Sequence, residues 1–134
     1  MADYKKLDVW KKAHELNMFI KKNIAIQFPK EERFELTSQL TRTSFSIPLN
    51  IVEGCGRFTD KDFARFLGTA LGSTNEIDYC CLCASELKYI SEDDYLKVNK
   101  SINEVRAMLI SFLKFLRSGG QTLKPFTSNL TPHI

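Results

Sequence analysis

QLTRTSFSIPLNIVEGCGR, from Gln39 to Arg57, is the stretch that decides the fold of this 134-residue chain. With Leu36 as the starting point and a turn of about 100° per residue, it places two apolar stripes on opposite sides of one helix. One stripe consists of Leu36, Leu40, Thr43, Ile47 and Ile51. The other consists of Phe34, Phe45, Leu49 and Val52. A surface helix in a monomer needs only one such stripe, so the second predicts a contact with another subunit.

A row of polar side chains follows the flank between the two stripes. Its members are Gln39, Arg42, Ser46, Asn50, Glu53 and Arg57. Glu53 and Arg57 are four residues apart and can pair directly on a helix. Polar groups flanked by apolar stripes need hydrogen-bond partners wherever they are buried. The row therefore indicates a structural network within or between subunits, or else a contact with an anion or a nucleic acid. It contains no nucleophile–base pair that would favour catalysis.

Four helices are predicted in all, with the Gln39–Arg57 stretch in the second, and no alternating strand pattern competes with them. The first extends from about Tyr4 to Ile26 and ends before Pro29, because the residue preceding a proline is pushed out of helical geometry. The second extends from about Glu31 to Cys55, with a kink expected at Pro48. Gly54 and Gly56 are expected to end it.

Capping residues mark the remaining helices. Thr59 and Asp62 have the spacing of a capping box at the start of the third helix, and Ser91 caps the fourth. Short connections make successive helices antiparallel neighbours. The sequence thus predicts an all-α, up-down-up-down antiparallel four-helix bundle over residues 1–118. A flexible tail is expected over residues 119–134, which show no helical period.

Composition limits the classes of function. The formal net charge is +3, which tolerates a polyanionic partner without requiring one. No segment approaches the run of about 20 apolar residues that spans a membrane. Three of the four cysteines, Cys80, Cys81 and Cys83, lie within four residues, which is a poor layout for a disulfide framework. We therefore expect the protein to reside in the reducing cytoplasm. Buried thiols explain them better than a metal site, and no cofactor or small-molecule substrate is indicated.

The ordered motifs resemble those of the small bacterial four-helix-bundle proteins encoded in intervening sequences of 23S ribosomal RNA genes. The resemblance covers about residues 7–117. The motifs that carry it are Leu7-x-x-Trp10-x-x-Ala13-x-x-Leu16, Phe28-Pro29-x-Glu31-Glu32, Leu36-x-x-Gln39-x-x-Arg42, Ser46-Ile47-Pro48-x-Asn50-Ile51-x-Glu53-Gly54-x-Gly56-Arg57 and Phe63-x-x-Phe66-Leu67-x-x-Ala70-x-Gly72-Ser73-x-x-Glu76. Glu35 departs from the pattern, because the family usually has glycine there.

The resemblance implies a homopentamer, and a related accessory protein of diversity-generating retroelements is a basic pentamer that binds nucleic acid and a reverse transcriptase. Our first hypothesis is a non-enzymatic oligomeric scaffold or adaptor that binds RNA or another nucleic acid, or a protein bound to it. Five copies at +3 each would carry about +15. If RNA or another nucleic acid is the partner, our candidates for phosphate contacts are Lys5, Lys12, Lys22 and Arg57. The alternatives are a solvated lysine face and a purely protein-binding assembly module.

Overall fold

The computed structural model describes residues 3–119. Within that range the chain forms four α-helices: α1 (Asp8–Phe19), α2 (Leu36–Cys55), α3 (Asp60–Glu86) and α4 (Glu92–Arg117). Each helix packs against its neighbours in the order α1–α2–α3–α4, and α4 closes the bundle against α1. The predicted all-α four-helix bundle is confirmed, and no strand is present between residues 3 and 119. The tail predicted for residues 119–134 lies outside the described residues from residue 120 onward.

Aliphatic side chains fill the line along which the four helices meet. On α2, Leu40, Ile47 and Ile51 are completely buried, as the first stripe predicts. On α4, the side chains in three- and four-residue spacing are buried from Val98 to Leu116. Burying each such side chain contributes about 1.5–3 kcal/mol relative to leaving it exposed. The inner faces of the helices therefore account for the fold, and the outer faces remain available for function.

The first helical segment is less uniform than predicted. A 3₁₀ turn at Tyr4–Lys6 precedes α1, and after Phe19 the chain forms a π-helix at Ile20–Ile24 and then a 3₁₀ turn at Ala25–Gln27. The buried side chains from Val9 to Ile24 are spaced four, three, four and four residues apart, wider on average than the 3.6 residues of an α-turn. The wider π-turn keeps these side chains on one face.

The second helix begins later than predicted. Lys30–Glu32 forms a 3₁₀ turn, and α2 starts only at Leu36 because Glu35, with φ −118° and ψ −96°, breaks the helical geometry. The side chain of Glu32 stabilises this break: its Oε1 accepts a 3.4 Å hydrogen bond from the Leu36 backbone N–H. Its Oε2 accepts a 2.8 Å bond from the hydroxyl of Tyr89, which lies between α3 and α4. One carboxylate thus joins the two connections at this end of the bundle.

At the turn between α2 and α3, the prediction for Gly54 is wrong and the predicted cap of α3 is confirmed. Gly54 lies inside α2 and does not end it; the helix ends at Cys55 with Gly56 as its C-cap. Gly54 instead allows close packing, because a Cβ there would lie 2.6 Å from Cδ1 of Phe63. The predicted cap of α3 is present, since the Asp62 backbone N–H donates to Thr59 Oγ1 over 3.1 Å.

Pro48 lies inside α2 and is buried. Its ring removes the backbone donor that would have reached the Ser44 carbonyl oxygen. The Ser44 hydroxyl oxygen lies 3.1 Å from Asn17 Oδ1 and 3.1 Å from the Thr41 carbonyl oxygen. Asn17 and Ser44 are both buried, so this side-chain contact between α1 and α2 lies next to the turn that the proline interrupts.

Candidate functional site

The outer face of α2 carries an apolar band, which we define as Phe34, Phe45, Leu49 and Val52. Phe45 is 48% exposed and Leu49 is 39% exposed, while Phe34, just before the helix, is 80% exposed. Val52 is half-buried. Lys21 lies 5.4 Å from the Phe45 ring centroid and Arg33 lies 4.8 Å from that of Phe34, but residues 3–119 otherwise leave much of the band exposed. Its proposed role as a subunit interface stays a prediction.

A second surface lies along α3, which we call the α3 strip: Gly68, Gly72, Asn75, Tyr79 and Leu82. The four- and three-residue spacing places these residues on one side of the helix. A Cβ added at Gly68 or Gly72 would meet nothing within 4 Å. Each glycine costs helix propensity of about 1 kcal/mol relative to alanine. Packing among residues 3–119 gives no reason for these glycines, and Tyr79, which continues the strip, is 67% exposed.

The polar row of α2 divides into two groups. Gln39 donates to Glu76 Oε2 of α3 over 3.1 Å, and Ser46 Oγ lies 2.7 Å from Ser73 Oγ, also on α3. Asn50 donates to the Ser46 carbonyl oxygen over 2.8 Å. These three residues join α2 to α3 or brace α2 itself.

The other members of the row face solvent. Arg42 and Glu53 are exposed and form no hydrogen bond or ion pair with any residue between 3 and 119. Arg57 is also exposed, and instead of pairing with Glu53 it stacks on Phe66, with 4.6 Å from the guanidinium carbon to the ring centroid. A role of these residues between subunits stays a prediction.

The four candidate phosphate contacts do not form one cluster. Lys5 lies 5.8 Å over the Tyr4 ring at the start of the first helical segment. Lys12 is 3.9 Å from Glu15 and 3.8 Å from Glu104 of α4, so carboxylates already offset its charge. Lys22 is exposed in the π-helix, about 15 Å further along the axis. Of the four, only Lys5 lies at the same end of the bundle as Arg57.

The end of the bundle at the α2–α3 turn holds more cationic and aromatic side chains than the sequence pattern indicated. Arg65 lies 4.6 Å from the same Phe66 ring as Arg57. Phe58 is 92% exposed between Arg57 and the cap of α3. We define the α2–α3 tip as Arg57, Phe58, Lys61, Arg65 and Arg117. Phe58 belongs to no helical period, so the apolar stripes of the sequence do not include it. Its position beside Arg57 was the only signal in the sequence that indicated a role at this site.

An open cavity of about 570 Å³ belongs to this tip. Lys61 and Arg65 of α3 and Arg117 of α4 line it, and Asp60 is the one carboxylate among its lining residues. Asp62 engages Arg65 from outside the cavity, with 3.2 Å between Oδ1 and Nη2. Lys61 and Arg117 have no ion-pair partner among residues 3–119. The cavity therefore presents positive charge at Lys61 and Arg117 that no ion pair within residues 3–119 neutralises.

The cysteines are thiols in an apolar environment. Burial raises the pKa of the Cys81 thiol to about 12 and that of Cys55 to about 11. Burial also raises the pKa of Cys80 above its ordinary value. No group of three or more metal-ligating side chains forms among residues 3–119. Over the same residues, no helix has the length and apolarity needed to cross a membrane.

These features define a class: a small all-α bundle protein with one uncovered apolar face and one cationic, aromatic end. The chain belongs to the family of the 23S rRNA-intervening sequence protein, which it matches over residues 5–111. It is similar to a crystal structure of a protein of unknown function of the S23 ribosomal protein family from Bacteroides thetaiotaomicron VPI-5482. That similarity has 29% identity and a TM-score of 0.73, and it covers 79% of this chain and 98% of the other. No curated protein gives a significant match.

Proposed function

We propose that this protein is a non-enzymatic, oligomeric scaffold that binds RNA or another nucleic acid. The observation that carries the proposal is the separation of two surfaces on one subunit. Residues 3–119 leave much of the apolar band on α2 exposed, while cations without carboxylate partners among those residues lie at the α2–α3 tip. From Leu49 to Cys55, the last residue of α2, the distance along the helix axis is about 9 Å, and Arg57 lies two residues beyond that end. Copies of the chain can therefore use the band for assembly and leave the tip free for a polyanion.

Assembly through the band has a structural rationale. Phe45 and Leu49 offer protruding side chains, whereas the α3 strip has no side chain at Gly72 or at Gly68, the latter of which also lines the cavity at the tip. One copy's band packed against the next copy's strip is a heterologous contact, which closes into a ring under cyclic symmetry. We propose a homopentamer, as the family resemblance implies. Such a ring repeats the α2–α3 tip five times and multiplies the charge of the single chain.

Light scattering on the purified protein tests the assembly. We expect a mass several times that of the 15.4 kDa chain. Leu49→Asp should shift that mass toward the monomer, because it places a charge in the apolar contact. Leu96→Asp is the matched control, since Leu96 is an exposed leucine on α4 outside both surfaces. A monomeric unmutated protein at micromolar concentration contradicts the assembly.

Salt dependence tests the partner. Each neutralised phosphate adds roughly 0.9 to the slope of log affinity against log salt on duplex, and roughly 0.7 on single strands. We expect labelled RNA to bind at low salt and to dissociate steeply as salt rises. A partner retained from lysate after nuclease treatment, with binding insensitive to salt, supports the alternative of a protein-binding assembly module. The exposed apolar band is the observation that favours that alternative.

A further inference from the structure

We propose that the α2–α3 tip binds single-stranded nucleic acid, with an unpaired base stacked on Phe58 and adjacent phosphates held in the cavity of Lys61, Arg65 and Arg117. This inference rests on the proposed function and adds the form of the nucleic acid and the site. The starting observation is Phe58, whose side chain is 92% exposed, more than any other large apolar side chain between residues 3 and 119. A ring exposed to that degree contributes little to the packing of residues 3–119.

The surroundings of Phe58 select the kind of ligand. Proteins that bind single strands combine a positively charged groove for the backbone with aromatic rings on which bases stack. Phe58 and Lys61 are three residues apart, so their Cα atoms lie no more than about 11 Å from each other. Lys61 then leads into the cavity of about 570 Å³ that Arg65 and Arg117 also line. The tip thus offers one exposed ring beside a short cationic groove.

The arginines at the tip are held in place before any ligand arrives. Arg57 and Arg65 both stack on Phe66 with 4.6 Å between guanidinium carbon and ring centroid. Arg65 is fixed further by Asp62, whose Oδ1 accepts from its Nε over 3.3 Å and from its Nη2 over 3.2 Å. Holding a side chain in its bound orientation lowers the entropy cost of binding. Asp60 opposes phosphate at the cavity and Asp62 offsets the charge of Arg65, but Lys61 and Arg117 line the same space without an ion-pair partner among residues 3–119.

The exposed aromatic ring of Phe58 favours single-stranded over duplex nucleic acid. A base inside a duplex is stacked on its neighbours and offers no free face to Phe58, whereas an unpaired base does. A protein partner is the competing explanation for an exposed phenylalanine. The charges of Arg57 and Lys61, which flank the ring in sequence, and of Arg117 in the cavity have no ion-pair partner among residues 3–119 and favour a polyanion. Stacking on a base also requires an aromatic ring, whereas an apolar protein contact would accept an aliphatic side chain.

The test uses the full-length protein and fluorescence anisotropy with labelled oligoadenylate RNA of about 12 nucleotides, and with a duplex of the same length. We expect the single strand to bind more tightly than the duplex. Phe58→Ala should weaken single-strand binding by about five- to a hundredfold, the range of measured base–aromatic stacking, and change duplex binding by less than about twofold. Phe58→Trp should retain binding, whereas Phe58→Leu should behave like the alanine variant.

The cavity is tested separately. Lys61→Gln and Arg117→Gln should each lower the salt slope on the single strand by about 0.7. Lys30→Gln, an exposed lysine at the opposite end of the bundle, is the matched control and should leave the slope unchanged. Equal single-strand binding by the unmutated protein and Phe58→Ala overturns the site at Phe58 and leaves the proposed function standing. So does a preference for duplex.

Two further results would also overturn the proposal. If Phe58→Ala dissociates the assembly in light scattering, Phe58 is a subunit contact rather than a stacking ring. If the unmutated protein binds no RNA or DNA at low salt, the proposed nucleic-acid function fails together with the site. Circular dichroism of each variant checks that the bundle remains folded, which we expect because all the substituted side chains are exposed.

Discussion

Gly54 and Gly56, two residues apart at the end of α2, have different tasks. Gly54 is buried, and a Cβ there would lie 2.6 Å from Cδ1 and 2.8 Å from Cε1 of Phe63. Phe63 cannot retreat freely, because its ring packs edge-on against Phe112 of α4, with 5.3 Å between centroids. At Gly56 a Cβ would approach only the Glu53 carbonyl oxygen, at 3.4 Å, and its φ of −83° suits any residue.

We therefore expect Gly54→Ala to destabilise the bundle and Gly56→Ala to be nearly neutral. Overpacking in a core costs about 1–3 kcal/mol, and the gain in helix propensity returns up to about 1 kcal/mol. The net loss for Gly54→Ala should be about 1–2 kcal/mol, against less than about 0.5 kcal/mol for the exposed position. Urea unfolding followed by circular dichroism measures both. Equal midpoints for the two variants would contradict the packing role of Gly54.

The thiols allow a second prediction at this scale. Cys55, Cys80 and Cys81 are buried, and burial raises the pKa of each, so almost no thiolate is present at about pH 8. Cys83 is only half-buried. We expect a thiol-reactive dye to modify one cysteine rapidly in the folded protein and all four after unfolding. Cys83→Ser should remove the rapid phase, whereas rapid modification of a second thiol would show that the core opens at α3.

Among the helices, α2 has the most unusual construction, because Pro48 interrupts its backbone hydrogen bonds between Phe45 and Leu49, the two exposed residues of the band within the helix. We expect Pro48→Ala to restore the bond from residue 48 to the Ser44 carbonyl oxygen and to straighten the helix. Proline costs about 3 kcal/mol in a helix interior relative to alanine, although the loss of a buried ring offsets part of that gain. The direction of the band formed by Phe45 and Leu49 should change, and assembly should weaken.

Thermal unfolding and light scattering distinguish the possible results for Pro48→Ala. The expected outcome is a folded bundle with less assembly at the same protein concentration. Ser44→Ala is the matched control, because it leaves the backbone interruption in place and removes only the hydroxyl beside Asn17. If the path of α2 and the oligomer are unchanged in Pro48→Ala, the proline does not set the shape of the interface.

Local signals predicted the helices, and non-local contacts account for the errors. The caps at Thr59 and Ser91 depend on residues three positions away, so the sequence revealed them. The late start of α2 depends on Glu32, whose carboxylate is shared with Tyr89, 57 residues later. Side-chain spacing alone could not reveal that pair. The π-helix likewise keeps the buried side chains of the first helical segment on one face. That requirement depends on packing against the other helices, so the local sequence did not reveal it.

In the candidate site, too, the features that depend on local spacing were predictable from the sequence, and those that depend on contacts between helices were not. The second stripe of α2 and the exposed position of Arg57 came from the helical period. Phe58 lies outside any period, and Arg117, which lines the cavity at the tip, comes from α4, so the α2–α3 tip could be recognised only in the folded bundle. The packing role of Gly54 was hidden for a similar reason, because its partner Phe63 belongs to the next helix.

At the scale of the whole molecule, substitution of a glycine in the α3 strip should affect the stability of the subunit and the stability of the assembly in opposite directions. Gly72 is exposed, and a Cβ there meets nothing within 4 Å, so the isolated subunit gains about 1 kcal/mol of helix propensity from Gly72→Ala. A neighbouring copy whose backbone or ring lies against the strip would meet the added methyl group. We therefore expect Gly72→Ala to weaken assembly on dilution in light scattering while helix content is retained.

Thr69→Ala is the control for this experiment, because Thr69 is an exposed residue of α3 that lies off the strip. Its substitution also raises helix propensity, so it separates a general stabilisation of α3 from a change at the strip. The dissociation midpoint should shift to higher protein concentration for Gly72→Ala and stay in place for Thr69→Ala. Unchanged assembly in both variants would remove the α3 strip from the interface, and the partner of the α2 band would then have to lie on another face of the bundle.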